Sequence, residues 1–503
     1  MEQKILNYNV GIRRDISELY SYSYFERIDI GQLVVVNFRN KEEIGVIINS
    51  EPSSFTGELK SVLSILPYVL PQEYISFAKF VASYNLTNFG NILKFLVPFS
   101  VNKILLPERN IKTAKIKEEH MKLNDEQKEA VSKMLKFQES FKTILLHGIT
   151  GSGKTEAFLE FAKPIIQSGK QILIMVPEIA LSNELSSKVS SRLGVNCYIW
   201  HNSIPPTKKL SIWKKAIEGE QICIVGARSS LFVPFKNLGC IIIDEEHDHS
   251  YKQAESTIYN ARDMGIYLGS CLNIPVILSS ATPAVESYNN AINGKYEYIK
   301  LKSRYFKNSS LPTVYIDDIR NRQLNGTLSE YSIDEIRKCL SFKKQALIFI
   351  NRRGHTPKIL CKSCGWRITC PGCSSWLCYH YETNEFVCHY CGHKTGIKTK
   401  CDNCGECSLI GIGAGVEKVS IECSALFPNA KILALSSDLI NTPNKISKAL
   451  NLIKNREVDL IIGTQIVSKG HNFNNINLVV ITCVDSMLYG DDFRSIERAF
   501  QTI

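Results

Sequence analysis

The chain has 503 residues, 44% hydrophobic and 22% charged, an ordinary balance for a soluble globular protein that is too long for one core, so about three or four domains are expected. No apolar run approaches the roughly 18 to 20 residues of a membrane-crossing helix, and residues 1–11 lack the basic-then-apolar order of a signal peptide, which points to a cytoplasmic protein with no membrane partner. The formal net charge of +11 suits a nucleic-acid partner, although well-solvated surface lysines produce the same number.

Residues 1–106 read as a small β-rich domain. Leu33-Val34-Val35-Val36-Asn37-Phe38 and Ile44-Gly45-Val46-Ile47-Ile48 are β-branched runs on either side of a charged turn over 39–43, a hairpin signal. Phe77, Phe80, Val81 and Tyr84 then recur at helical spacing. Residues 107–122 are polar and lysine-rich and read as a linker. From 123 onward, short continuous apolar runs at 143–147, 171–176, 222–225, 240–243 and 276–278 alternate with helix-compatible segments. Strands apolar on both faces predict a parallel sheet covered by helices on both sides. A second set at 346–350, 431–435, 460–462 and 478–481 predicts another. The expected fold class is α/β, with parallel-sheet lobes over 123–310 and 311–503 and a cysteine module at 358–408 inserted in the second.

Gly148-Ile149-Thr150-Gly151-Ser152-Gly153-Lys154-Thr155 fits the phosphate-loop pattern G-x-x-x-x-G-K-T between an apolar strand and an amphipathic stretch. The glycines let backbone N–H groups wrap phosphates, and the following helix N-terminus favours an anion. Lys154 is placed to reach the β- and γ-phosphates of ATP, and the Thr155 hydroxyl to ligate Mg²⁺. Asp244-Glu245-Glu246-His247 closes the strand at 240–243, where a Mg²⁺ ligand is required. Asp244 is assigned to the metal and Glu245 to the attacking water; His247 either senses the γ-phosphate or packs.

Ten of the 17 cysteines lie between Cys361 and Cys407. In a reducing compartment such a cluster reads as metal ligation. Four C-x-x-C knuckles, Cys361/Cys364, Cys370/Cys373, Cys388/Cys391 and Cys401/Cys404, supply ligands for two tetrahedral Zn²⁺ ions. Four knuckles pair in three ways. An alternating stretch through Trp376, Cys378 and His380 with a turn at Thr383-Asn384 offers a hairpin that joins the middle two knuckles, leaving the outer two for the other ion. Scattered cysteines such as Cys223, Cys240 and Cys483 fit small buried hydrophobes.

Asp244 to His247 and Ser279-Ser280-Ala281-Thr282-Pro283 resemble motifs of superfamily 2 helicases. Val176-Pro177-Glu178-Ile179-Ala180-Leu181, Gly226-Ala227-Arg228-Ser229-Ser230-Leu231-Phe232, Tyr259-Asn260-Ala261-Arg262-Asp263, Asn351-Arg352-Arg353-Gly354, Gly463-Thr464-Gln465 and Lys469-Gly470-His471-Asn472-Phe473 resemble, in family order over nearly the whole chain, the primosomal protein N′ family of bacterial replication-restart helicases. The resemblance implies two RecA-like helicase lobes and an ATP-dependent DNA helicase moving 3′ to 5′ that recognises abandoned forks and starts primosome assembly. Its implied partners are single-stranded and forked DNA, primosome proteins, single-strand-binding protein and the machinery that loads the replicative helicase. It implies that Gln127 holds adenine, that Ser280 and Thr282 couple hydrolysis to lobe movement, and that Arg228 and residues 464–470 line the inter-lobe cleft and strand path. Tyr251 and Tyr259 fall in an aromatic-rich loop whose rings would stack on bases. The outer cysteine knuckles sharing one ion is also the family arrangement, and the module is implied in strand separation and primosome contacts.

The N-terminal domain resembles the family module that grips the 3′ end of a nascent strand, with Tyr20, Arg39 and Lys60 as its DNA contacts; Ser21 stands where the family has Asp. The family's winged-helix domain has no room between 107 and 122. An arginine-bearing motif and a C-terminal domain are expected to follow the family's counterpart of residues 492–501, and the sequence ends at Ile503. An arginine finger supplies about 10³ to 10⁵ in rate, so an alternative expectation is a fork-binding scaffold with weak ATPase. A nucleotide kinase or GTPase would not need the second α/β lobe.

Overall fold

In a computed structural model, the described residues are 6–50, 59–105, 122–177, 183–305, 312–320, 324–350, 358–373, 376–380, 385–388, 391–396, 399–407, 409–412, 416–435, 443–464, 473, 475–482, 484–488 and 493–503. Linker positions 107–121 and motif segments 178–182, 351–354 and 465–472 lie outside them. The chain divides into two units, Met1–Ser310 and Leu311–Ile503.

The first unit opens with strands β1 (Leu6–Ile12), β2 (Leu19–Tyr24), β3 (Gln32–Phe38), β4 (Lys41–Asn49) and β5 (Val62–Val69), in the antiparallel order β2-β1-β4-β3-β5. The β3–β4 turn is shorter than the charged run suggests. Arg39 and Asn40 both take positive φ, +49° and +62°, so a two-residue turn pairs Phe38 with Lys41, and Lys41, Glu42 and Glu43 belong to β4. Such mirror-image turns match the strand twist. Helices α1 (Gln72–Tyr84), α2 (Phe89–Leu96) and α3 (Val101–Ile104) follow.

The next sheet contains β6 (Thr143–Gly148), β7 (Gln171–Met175), β8 (Cys197–Trp200), β9 (Cys223–Gly226), β10 (Leu238–Asp244), a separate short hairpin of β11 (Lys252–Gln253) and β12 (Tyr259–Asn260), then β13 (Val276–Ser280) and β14 (Glu297–Leu301). The seven-stranded order is β14-β6-β13-β10-β7-β9-β8, parallel throughout. Helices α4 (Asp125–Leu135), α5 (Lys154–Gln167), α6 (Asn183–Leu193), α7 (Pro206–Glu218), α8 (Ala261–Leu272) and α9 (Val285–Ile292) lie between strands. Strand residues alternate between two cores, as a doubly covered sheet requires. Ile172, Ile174, Cys240 and Ile242 join Phe158 and Phe161 of α5. Leu173, Met175, Ile241 and Ile243 join α7, α8 and, unexpectedly, the N-terminal helices.

That second core makes the N-terminal domain part of the same body as the first lobe. Trp213 of α7 donates its Nε1–H to the Leu96 carbonyl at 2.7 Å, and its ring meets Tyr68 and Phe99 edge-on. Phe77 of α1 lies 5.7 Å from Phe232.

The second unit carries a parallel sheet of β17 (Gln345–Ile350), β23 (Ile432–Leu435), β24 (Leu460–Gly463) and β25 (Ile476–Thr482), following a short hairpin of β15 (Leu324–Asn325) and β16 (Leu328–Ser329). Its order is β23-β24-β17-β25. Between β17 and β23 sits an antiparallel sheet, β18 (Lys358–Cys361), β19 (Cys378–His380), β20 (Glu385–Val387), β21 (Lys394–Thr395) and β22 (Leu409–Ile412). Lys358 pairs with Ile412, so the insertion leaves and returns at one place.

Candidate functional site

Three neighbouring strands of the first unit, β6, β13 and β10, carry the phosphate-loop, Ser280-Ala281-Thr282 and acidic motifs at their C-terminal ends. The register sets His147 beside Ser280 and Ser279 beside Asp244. Ligands of parallel α/β sheets sit outside strand C-termini.

The loop between Gly148 and α5 depends on its glycines. Gly151 and Gly153 both have φ of +80°, a region costly for other residues. A Cβ on Gly153 would lie 2.1 Å from Gln127 Nε2, and one on Gly148 would lie 2.5 Å from Ser152 Oγ. Thr150 is exposed, Ser152 is buried and Thr155 is half-buried in the first turn of α5. Lys154 Nζ donates to the Gly148 carbonyl at 2.8 Å, folded back along the loop. Glu156, one residue past Thr155, is buried and pairs with Lys188 at 2.8 Å and Arg192 at 3.2 Å. This tie between α5 and α6 leaves no mark in the sequence, where an acidic residue in a first helical turn looks like an ordinary dipole match.

Asp244 is held by its neighbours. Its Oδ1 accepts from Ser279 Oγ at 2.8 Å and from the Glu245 N–H at 3.1 Å. Burial raises the Asp244 pKa, opposed by the Ser279 hydrogen bond and Lys154. Glu245 adopts a left-handed φ of +47°, a strained conformation of the kind that clusters at functional sites, and its side chain is 43% exposed. His247 Nδ1 lies 3.6 Å from Glu245 Oε2 and shares a 2.7 Å hydrogen bond with Ser280 Oγ. Ser280 Oγ also accepts from the Thr282 N–H at 3.0 Å. Hard oxygen donors from Thr155 and Asp244 beside an ammonium suit a magnesium-bound nucleotide phosphate.

Three expectations need revising on this geometry. Gln127 is fully buried with both ends of its amide engaged: Oε1 accepts from the Asn124 N–H at 2.9 Å, and Nε2 donates to the Ser152 carbonyl at 3.0 Å. It braces the phosphate loop instead of presenting its amide to a base. Tyr251 and Tyr259 are 2% and 1% exposed, so neither ring is open to a base. Tyr251 Oη donates to the carbonyls of Asp244 and Met175, and Tyr259 packs on Phe95 and Phe232. Aromatic spacing cannot distinguish a stacking platform from a hydrophobic plug, and here the plug wins.

Arg228 is half-buried, its Nη1 donating to the Ser250 carbonyl at 3.0 Å. In the N-terminal domain, Tyr20 meets Phe38 edge-on at 4.9 Å, and the Arg39 guanidinium lies over the same ring at 5.3 Å. Lys60 is exposed, its carbonyl accepting from the Ser23 N–H of β2. Ser21 Oγ donates to Asn9 Oδ1 at 3.0 Å.

In the second unit, the eight knuckle cysteines form two groups. Cys361, Cys364, Cys401 and Cys404 make one; Cys370, Cys373, Cys388 and Cys391 make the other; sulfurs within each lie within 4.8 Å of one another. Their closest approaches, 3.4 to 3.6 Å, are too long for disulfides. They are near the ~3.8 Å edge of a tetrahedron with metal–sulfur bonds of about 2.3 Å. Positive φ at Gly365, Gly392 and Gly405, +74°, +77° and +77°, closes three of the knuckles.

The sequence matches the DEAD/DEAH box helicase model over residues 124–291 and a 3′DNA-binding domain (3′BD) model over residues 9–98. It is 39% identical to the replication restart protein PriA of Rickettsia conorii over 488 residues, covering 95% of this chain and 74% of that protein. Identity to PriA of Haemophilus influenzae is 39%, over 76% of this chain and 52% of that one, and to PriA of Bacillus subtilis 35%, over 77% and 49%. Among solved structures, RecG bound to a three-way DNA junction matches at 14% identity and a TM-score of 0.41, covering 96% of this chain and 68% of that one.

Proposed function

The chain belongs to the replication restart protein PriA family of helicases, and on that premise we propose that it hydrolyses ATP to move 3′ to 5′ along DNA, recognises forked DNA at abandoned replication sites and starts primosome assembly. The observation that carries this reading is the convergence of the phosphate loop, Asp244 and Glu245 at adjoining strand ends, joined by Ser279, Ser280 and His247.

Backbone N–H groups of 150–155 cradle the ATP phosphates, and Lys154 exchanges the Gly148 carbonyl for a phosphate oxygen. Thr155 and Asp244 would hold Mg²⁺, which would supply charge neutralisation at the transferred phosphoryl group. Glu245 orients the attacking water, and its strained backbone directs the carboxylate away from the protein core. Gln127 sets the loop's position from behind. Arg228 contacts the translocating strand; Tyr20, Arg39 and Lys60 meet the 3′ end of a nascent strand. The two cysteine groups hold one Zn²⁺ each, since four thiolates at tetrahedral spacing suit that ion. The working partners are single-stranded and forked DNA, single-strand-binding protein, primosome proteins and the replicative-helicase loader, in the cytoplasm.

The test is steady-state ATP turnover by the whole chain, with and without forked DNA, beside Lys154→Ala and Glu245→Gln. DNA-stimulated turnover abolished in both variants is expected, with unwinding only of substrates bearing a 3′ loading strand. Fork binding with no turnover would replace the motor with a scaffold, and turnover indifferent to DNA would point to another nucleotide enzyme.

A further inference from the structure

Glu246 takes no part in the roles assigned to Asp244 and Glu245, yet it is the most enclosed member of the acidic motif, 1% exposed. Its Oε1 accepts from the Ala284 N–H at 2.7 Å. Its Oε2 accepts from Ser287 Oγ at 2.7 Å and from Arg262 Nη1 at 3.2 Å, while its own N–H donates to the Ser279 carbonyl at 3.1 Å. Arg262 sits in the first turn of α8, immediately beyond the short hairpin strand that carries Tyr259, and also reaches Asp263 Oδ1 at 2.8 Å through Nε. One carboxylate therefore joins the end of β10, the segment two residues past Thr282, the first turn of α9 and the start of α8.

We infer that Glu246 is a positioning residue that fastens the hydrolytic strand end to the 282–287 segment, with Arg262 as its fixed counter-charge. A buried ion pair is seldom the most stable filling for a core, because desolvation offsets much of the attraction. Apolar side chains would pack the same space. What the pair supplies is direction: the carboxylate accepts bonds only from donors aimed at it, and these come from the 282–287 segment and the start of α8. Moving Ala284 or Ser287 relative to β10 leaves a buried charge short of a donor, so the 282–287 segment and the Asp244–Glu245 backbone shift as one piece. Stimulation of hydrolysis by a strand moving the segments after Ser280-Ala281-Thr282 therefore passes through Glu246.

This role rests on the ATPase reading above. The test compares the whole unsubstituted chain with Glu246→Gln, Arg262→Gln, the double variant and Ser287→Ala, measuring kcat and KM for DNA-stimulated ATP turnover together with thermal midpoints. Glu246→Gln and Arg262→Gln each lower kcat about tenfold with KM little changed, a loss confined to the transition state. Ser287→Ala lowers kcat about threefold, and the double variant is less impaired than the product of the single losses by about threefold or more, as coupled partners require. Unchanged kcat in Ser287→Ala and Glu246→Gln would overturn the role. So would a parallel fall of kcat, nucleotide affinity and thermal midpoint, which marks a merely structural pair. Should Glu246→Gln fail to fold, the kcat-to-KM split in Ser287→Ala decides. Absence of turnover in the unsubstituted chain would overturn the ATPase reading and this role with it, whereas unaltered turnover in the variants overturns this role alone.

Discussion

The Tyr251 hydroxyl donates to the Asp244 carbonyl at 2.6 Å and, from the same oxygen, reaches the Met175 carbonyl at 3.0 Å. A phenol seven residues beyond the acidic strand end thus closes the gap between β10 and β7, beneath the residues assigned to the metal and the water. Burial, with Asp244 and Asp248 nearby, raises its pKa well above the ordinary tyrosine value, so it stays a donor throughout the accessible pH range. Tyr251→Phe keeps the ring but removes the one O–H that the Asp244 and Met175 carbonyls share. The expected cost is about 1–3 kcal/mol of stability, read as a lower urea midpoint with the same denaturant slope, together with reduced ATP turnover. A variant as stable and active as the parent would show that the hydroxyl has no such role.

Gly153 and Gln127 make a second prediction. With φ at +80° and Gln127 Nε2 2.1 Å from where a Cβ would stand, Gly153→Ala is strained both in backbone and in space. It should lower nucleotide affinity by at least about tenfold and destabilise the first unit by about 1–3 kcal/mol. Gln127→Ala removes the brace without the clash. Its expected effect is a weaker grip on every nucleoside triphosphate alike, because the amide faces the loop and not a base. A selective loss of adenine nucleotides, measured by competition with GTP, would return Gln127 to base recognition.

These two sites also mark what can be read from residues alone. The strands around 143–147, 171–176, 222–225, 240–243 and 276–278 were legible because buried parallel strands are apolar on both faces, and their motifs stand at the strand ends where ligands bind. Edge strands β8 and β14 gave no such signal, since their burial is incomplete. The orientation of Gln127, Tyr251 and Tyr259 was not legible either. An amide or a ring has one chemistry whether it faces a ligand or a neighbouring carbonyl, and only packing decides. The shared core of Trp213, Tyr68, Phe77 and Phe232 was hidden for a related reason: hydrophobic periodicity reveals that a face is covered, not what covers it.

The cysteine groups predict metal dependence confined to one region. The chain should carry two zinc ions, one for each four-cysteine group, measurable by mass spectrometry of the purified protein. Cys361→Ser with Cys404→Ser should halve that content, whereas Cys361→Ser with Cys370→Ser should empty both sites. Chelation should unfold the module between β18 and β22, because a structural metal supplies the folding energy of so small a sheet. Nucleotide affinity should be unchanged, as every phosphate-loop residue lies in the other unit. Loss of nucleotide binding on chelation would show that the module supports the ATP site.

His147 offers a pH signature at the phosphate loop. It precedes Gly148, and its Nδ1 lies 2.8 Å from the Tyr298 hydroxyl. Burial, then Lys300, lower its pKa, with Lys154 adding to the effect. A histidine whose folded pKa is depressed is protonated first in the unfolded chain. Its contribution to stability is therefore complete above the unfolded value of about 6.5 and is lost as pH falls from there toward the folded pKa, because the unfolded state then binds the extra proton. His147→Gln should be less stable than the parent at about pH 7.5, having lost a fitted hydrogen-bond partner, and the gap should narrow by about pH 5.5. Guanidinium midpoints of both proteins across that range measure it. A gap that widens on acidification would mean that the folded state takes the proton more readily than the unfolded chain, and that the nearby lysines do not set the charge of this ring.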